Sequence, residues 1–144
     1  MRWLVMLFLV VSSGVQADTI DNYMKIADNI PKMEVKADEQ AQAWARSARH
    51  VLTITCESIA ETILQANETA TSLGKPIFCL PQGTQLNPEV MNNLIQQTYK
   101  EISSQGGKDK LTVSQVAWLG VNKQFACNKA PVGVQGLLHV SGTN

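Results

Sequence analysis

Residues 37–71 hold one helical register without interruption, and this stretch limits the folds open to the chain more than any other. At about 100° per residue, Ala41, Trp44, Ala45, Ala48, Val51, Leu52, Thr55, Ile59, Ile63, Ala66 and Ala70 fall on one face. Glu39, Gln42, Arg46, His50, Thr53, Glu57, Glu61 and Glu68 fall on the other. The pattern lasts about nine turns, which predicts one long amphipathic helix. Asp38 is placed to cap its start. Straight, it would be nearly ~50 Å long, whereas a domain of this size is about 35–40 Å across. It should therefore bend, break or overhang.

The flanking segments are also helical in pattern. Ile20, Tyr23, Met24 and Ala27 share a face in a short helix over 18–30, which Pro31 should break, leaving residues 31–37 as a charged connector. After the long helix, Gly74-Lys75-Pro76 should stop the chain and Phe78-Cys79-Leu80-Pro81-Gln82-Gly83 should reverse it. Pro81 suits the second position of a type I turn, and Gly83 the fourth. Asn87 caps the next helix with Pro88 at its first position, and Leu86 and Met91 form a hydrophobic staple. Its buried stripe is Met91, Leu94, Ile95, Thr98 and Ile102, and Gly106-Gly107 ends it. Thr112 and Gln115 match a capping box for a last helix over 113–126, with Leu111 and Val116 as staple. Val113, Val116, Ala117 and Gly120 face inward, and Gly120 permits close helix contact.

The N-terminus bears on how the cysteines are read. Met1-Arg2, the apolar run Trp3–Val11 and the small-x-small pattern Val15-Gln16-Ala17 read as a secretory signal over 1–17. The run is too short to span a bilayer. An exported chain meets oxidising conditions, where disulfides form. Cys56, Cys79 and Cys127 allow one bridge and one leftover thiol. Loop entropy does not choose between Cys79–Cys127 and Cys56–Cys79, because their loops of 48 and 23 residues differ by only about 0.7 kcal/mol. Topology does. A short loop makes the helices at 88 and 113 antiparallel, which brings Cys127 beside Cys79 and leaves Cys56 at the edge of the long helix's apolar face. The expected architecture is all-α: a small bundle of about four helices over 18–128 with a disulfide-stapled C-terminal hairpin. A flexible tail, or an arm that docks on a partner, follows over 129–144.

The chemistry is that of a binding protein. Without residues 1–17 the chain has 11 basic and 12 acidic residues, hence no basic field for nucleic acid. No second segment is apolar enough to cross a membrane. There is no G-x-S-x-G, phosphate loop or H-E-x-x-H, and the cysteine spacing fits no zinc site. His50 and Cys56 lie about 120° apart around their helix and form no dyad. Neither a catalytic residue nor a cofactor is assigned. Glu57, Glu61 and Glu68 fall within about 40° of one another. They read either as a solvated face or as an acidic contact surface for a basic partner. Ile54 and Leu64 lie off the main apolar stripe, covered by another part of the chain or belonging to a partner interface. Asn67-Glu68-Thr69 is a glycosylation sequon set on a helix.

A helical cysteine (Cys56) is followed by Phe78-Cys79-Leu80-Pro81-Gln82-Gly83-Thr84, an amphipathic helix, a short turn and a helix ending in Phe125-Ala126-Cys127. On these features residues 47–128 resemble the Rap/Tai family of periplasmic immunity proteins of type VI secretion systems. The chain departs from that pattern in three places and carries an additional C-terminal tail. It has no further cysteine within 18–55, Glu57-Ser58-Ile59-Ala60 replaces a glycine and an aromatic, and Ala126 replaces a proline. The resemblance implies an all-helical, non-enzymatic periplasmic protein that binds a secreted peptidoglycan amidase and blocks its active site. The alternative is a periplasmic helical chaperone or assembly factor similar to HdeA-like acid-stress chaperones. Either class leaves room for a homodimer.

Overall fold

A computed structural model describes residues 18–128. The signal read at 1–17 and the tail read at 129–144 lie outside the described residues. Four α-helices follow in order: α1 (Ile20–Glu34), α2 (Glu39–Ser72), α3 (Pro88–Glu101) and α4 (Val113–Gln124). A short 3-10 turn, Lys108–Lys110, precedes α4.

The helix starts follow the local sequence closely. Thr19, Asp38, Asn87 and Thr112 each accept hydrogen bonds from first-turn amides, and Thr112 with Gln115 completes a capping box. These side chains satisfy amides that have no partner inside the helix. α2 ends as residues 74–76 predict. Gly74 takes a left-handed φ of 111°. Its N–H reaches Thr71 O, and that of Lys75 reaches Ala70 O, closing a Schellman motif.

Three boundaries differ from expectation. Pro31 does not break α1, which runs on to Glu34. A proline removes one donor to the carbonyl four residues back, but its own φ is helical; one turn from the end, that loss is tolerated while Ile30 is buried at 4% exposure. α3 stops at Glu101, well short of Gly106, and α4 stops at Gln124 instead of 126. The turn at Pro81 is also shifted by one place. Thr84 N donates to Pro81 O at 3.0 Å, so Pro81 is the first residue of the turn. Gly83 is then the third, with φ 82°, which a type II turn requires.

α2 is a single unbroken helix of 34 residues and forms the spine on which α1 and α3 pack. α4 lies against α3. Gly120 makes that contact possible, since a Cβ built on it would sit 2.4 Å from Thr98 Oγ1 and 3.0 Å from Leu94 Cγ. An isolated antiparallel bridge pairs Thr19 with Thr112. Beside it Ile20 N donates to Leu111 O at 2.9 Å, which ties the start of α1 to the start of α4.

The buried face of α2 is rotated from the one its pattern predicts. Ala41, Ala45, Ala48, Leu52, Cys56, Ala60 and Ile63 are buried. Trp44 and Val51, expected inside, are 40% and 55% exposed. Cys56 sits within the core at 0% exposure instead of at its edge. The cause is that α1 and α3 flank one side of the apolar stripe more fully than the other. The stripe is wider than its partners.

Candidate functional site

Cys79 and Cys127 form a disulfide with their Cα atoms 4.7 Å apart, closing a span of 48 residues. The bridge is one of several ties on the loop between α2 and α3. Cys79 N donates to Phe125 O at 2.8 Å. Asn67 of α2 grips the loop with its whole side-chain amide: Oδ1 accepts from Ile77 N (2.8 Å) and Phe78 N (3.0 Å), and Nδ2 donates to Phe78 O (3.1 Å). Phe78, held between them, is fully buried. Asn67 is therefore a loop clamp, a role that its sequon gives no hint of. Glycosylation at Nδ2 would break the clamp.

A buried polar node lies where α1, α2 and α3 meet. The Tyr23 hydroxyl donates to Asn92 Oδ1 at 2.6 Å and lies 3.1 Å from Cys56 Sγ. With that hydroxyl proton committed, the thiol donates to the Tyr23 oxygen. Gln96 Nε2 also donates to Asn92 Oδ1, at 3.1 Å. Burial pushes the Tyr23 phenol well above its usual range and raises the Cys56 thiol as well. Both groups are held neutral, so Cys56 is a poor nucleophile. Sequence spacing reveals none of this node, because its members lie on three helices.

The residues singled out for partner contact fall as follows. Glu57, Glu61 and Glu68 are exposed on the outer face of α2, and none makes an ion pair or hydrogen bond among the described residues. Ile54, beside them, is 48% exposed. Leu64 is half-buried and packs against the core, so it supports the ridge from below. The first four form one acidic, partly apolar ridge on a continuous helix.

A second surface was not visible in the sequence. α4 has two apolar stripes. Val113, Val116, Ala117, Gly120 and Val121 face the bundle. Leu111, Trp118 and Leu119 instead line a groove of about 720 Å³ against Ile59, Ile63 and Ala66 of α2. Its polar lining is Ser58, Thr62, Ser114 and Gln115, and it holds no charged residue. Leu119 is 48% exposed. Leu111, Trp118 and Leu119 stand at i, i+7 and i+8, but the polar Ser114 and Gln115 at i+3 and i+4 interrupt the stripe, which is why periodicity did not mark it. A second cleft of about 740 Å³, between α1, α2 and α3, is more polar, with Arg49, Glu89, Asn92 and Gln96 on its walls.

Among the described residues, no three His, Cys, Asp or Glu side chains converge to hold a metal ion, and no helix is long and apolar enough to cross a membrane. His50 is exposed and far in register from Cys56. What the described surface can do chemically is present charge and apolar area from rigid helices. No family model matches the chain, and neither the curated proteins nor the solved structures contain a match to it.

Proposed function

We propose that this chain is an exported, periplasmic protein-binding domain that acts without catalysis, as an immunity protein occluding a secreted peptidoglycan amidase. The observation that carries the binding role is the outer ridge of α2. Glu57, Glu61 and Glu68 stand exposed and without ion pairs among the described residues, next to the exposed Ile54, on a helix that the core holds rigid. A pre-ordered acidic ridge steers a basic partner into register and loses little entropy on docking. The class of partner rests on the resemblance of residues 47–128 to the Rap/Tai family, and the disulfide uses two of the cysteines that carry it.

The test uses residues 18–144, oxidised and immobilised, against periplasmic extract and the secreted proteins of sister cells at pH 7. One stoichiometric wall hydrolase is expected, inhibited by the soluble protein. The Glu57→Lys, Glu61→Lys, Glu68→Lys variant should fold normally and lose most of that inhibition. Undiminished inhibition by this variant would remove the ridge from the mechanism. One observation favours a second role as a chaperone: the uncharged groove leaves Leu119 half-exposed, with Trp44 and Val51 exposed elsewhere on α2. Many unrelated clients captured only at pH 3 would support that role.

A further inference from the structure

The α2–α4 groove is apolar, uncharged and open, which makes it a poor match for the strongly charged partner that the ridge suits. We propose that it is occupied in cis by the chain's own C-terminal segment, residues 129–144, docking through Val134, Leu137, Leu138 and Val140.

Three observations select this occupant. The first is chemistry. The sixteen residues 129–144 contain one lysine, one histidine and no acidic residue, and five of them are valine or leucine. A segment of that kind loses little on leaving water for a groove lined by Ile59, Ile63, Leu111, Trp118 and Leu119. Serine, threonine and glutamine on the groove walls can meet its backbone groups.

The second is tethering. The described chain ends at Asn128, next to Cys127, which the bridge to Cys79 pins in place. The segment therefore starts from a fixed point at the C-terminal end of α4, the same helix that forms one wall of the groove. The third is reach. α4 is about 18 Å long at 1.5 Å per residue, whereas the nine residues from Asn128 to Leu137 span up to about 30 Å. A return along α4 is thus within reach. Tethering gives a short linker a millimolar effective concentration. Any segment whose free form binds at ~100 µM or tighter is then docked about nine-tenths of the time.

Docking in cis covers Trp118, which supplies the readout. In residues 18–144 the tryptophans are Trp44 and Trp118. Trp44→Phe, at an exposed position, leaves Trp118 as the single reporter. The test compares this chain with one that also carries Leu137→Asp and Leu138→Asp. Two carboxylates entering an uncharged groove should abolish docking, and neither leucine belongs to the described core, so the domain stays folded. The expected result is a red shift of Trp118 emission and an increase of about twofold or more in its quenching by acrylamide. A synthetic peptide spanning 129–144, added to the Asp variant, should restore protection with a midpoint at ~100 µM or tighter. ¹⁹F NMR of the unsubstituted protein labelled with fluorotryptophan should show a shift of the Trp118 resonance alone. Identical emission and quenching in the two chains would overturn the proposal. So would Trp118 protection that rises with protein concentration alongside dimer formation in sedimentation, because the occupant would then be a second copy.

Discussion

Replacing Gly120 with alanine probes the closest approach between helices. The added Cβ would lie 2.4 Å from Thr98 Oγ1 and 3.0 Å from Leu94 Cγ, well inside the ~3.5–4.0 Å of favourable carbon contact. Two effects oppose each other. In an open helix interior, glycine to alanine stabilises by about 0.8–1.0 kcal/mol. Overpacking a tight contact costs about 1–3 kcal/mol. Thr98 can turn about χ1, since helical threonine has two usable rotamers. Leu94 has no such escape, because the near atom is its branch point and its side chain is almost fully buried. α3 and α4 must move apart, and a net loss of about 1 kcal/mol follows. For a domain of this size that is a drop in Tm of about 4 °C.

Thermal and urea unfolding followed by circular dichroism would be measured for the parent, Gly120→Ala, Thr98→Ala and the double variant. Removing the threonine side chain should relieve only the Thr98 part of the clash, giving a coupling energy of about 0.5 kcal/mol. A Gly120→Ala protein more stable than the parent, additive with Thr98→Ala, would refute the close α3–α4 contact.

Further outcomes follow from the loop and the polar node. A Cys79→Ser, Cys127→Ser variant should lose about 2–4 kcal/mol, the upper figure being the entropy of a 48-residue loop; equal urea midpoints for the oxidised and reduced parent would contradict this. Asn67→Ala removes three hydrogen bonds to the loop and should cost about 2–3 kcal/mol. Amide exchange at Ile77 and Phe78 should accelerate, and unchanged exchange there would rule out the clamp. Cys56 and Tyr23 are acids whose folded pKa values are raised above their unfolded ones. Their contribution is complete below the ordinary thiol pKa of 9.0 and is lost as pH rises beyond it. The urea midpoint should fall above pH 9, and fall less in Cys56→Ala. A parent profile that is flat to pH 11 would count against the buried node.

Sequence reasoning succeeded where the cause was local. A cap needs one oxygen within three residues of an orphan amide, so Asp38, Asn87 and the Thr112–Gln115 box were legible. It succeeded once at long range, for Cys79–Cys127, because a short connection forces antiparallel helices and so sets which cysteines can meet. It placed Pro31 wrongly, because a proline's local penalty is outweighed when its neighbour Ile30 is buried by other helices.

Periodicity identifies a helix and the direction of its apolar face, because both arise from the 3.6-residue turn of one segment. It does not reveal how much of that face other segments cover. Only packing decided that Cys56 lies inside while Trp44 and Val51 lie outside, that Tyr23, Cys56 and Asn92 meet, and that Asn67 holds a loop instead of facing solvent. The apolar stripe of α2 is a property of one helix. The core and the open groove are set by where three other helices come to rest upon it.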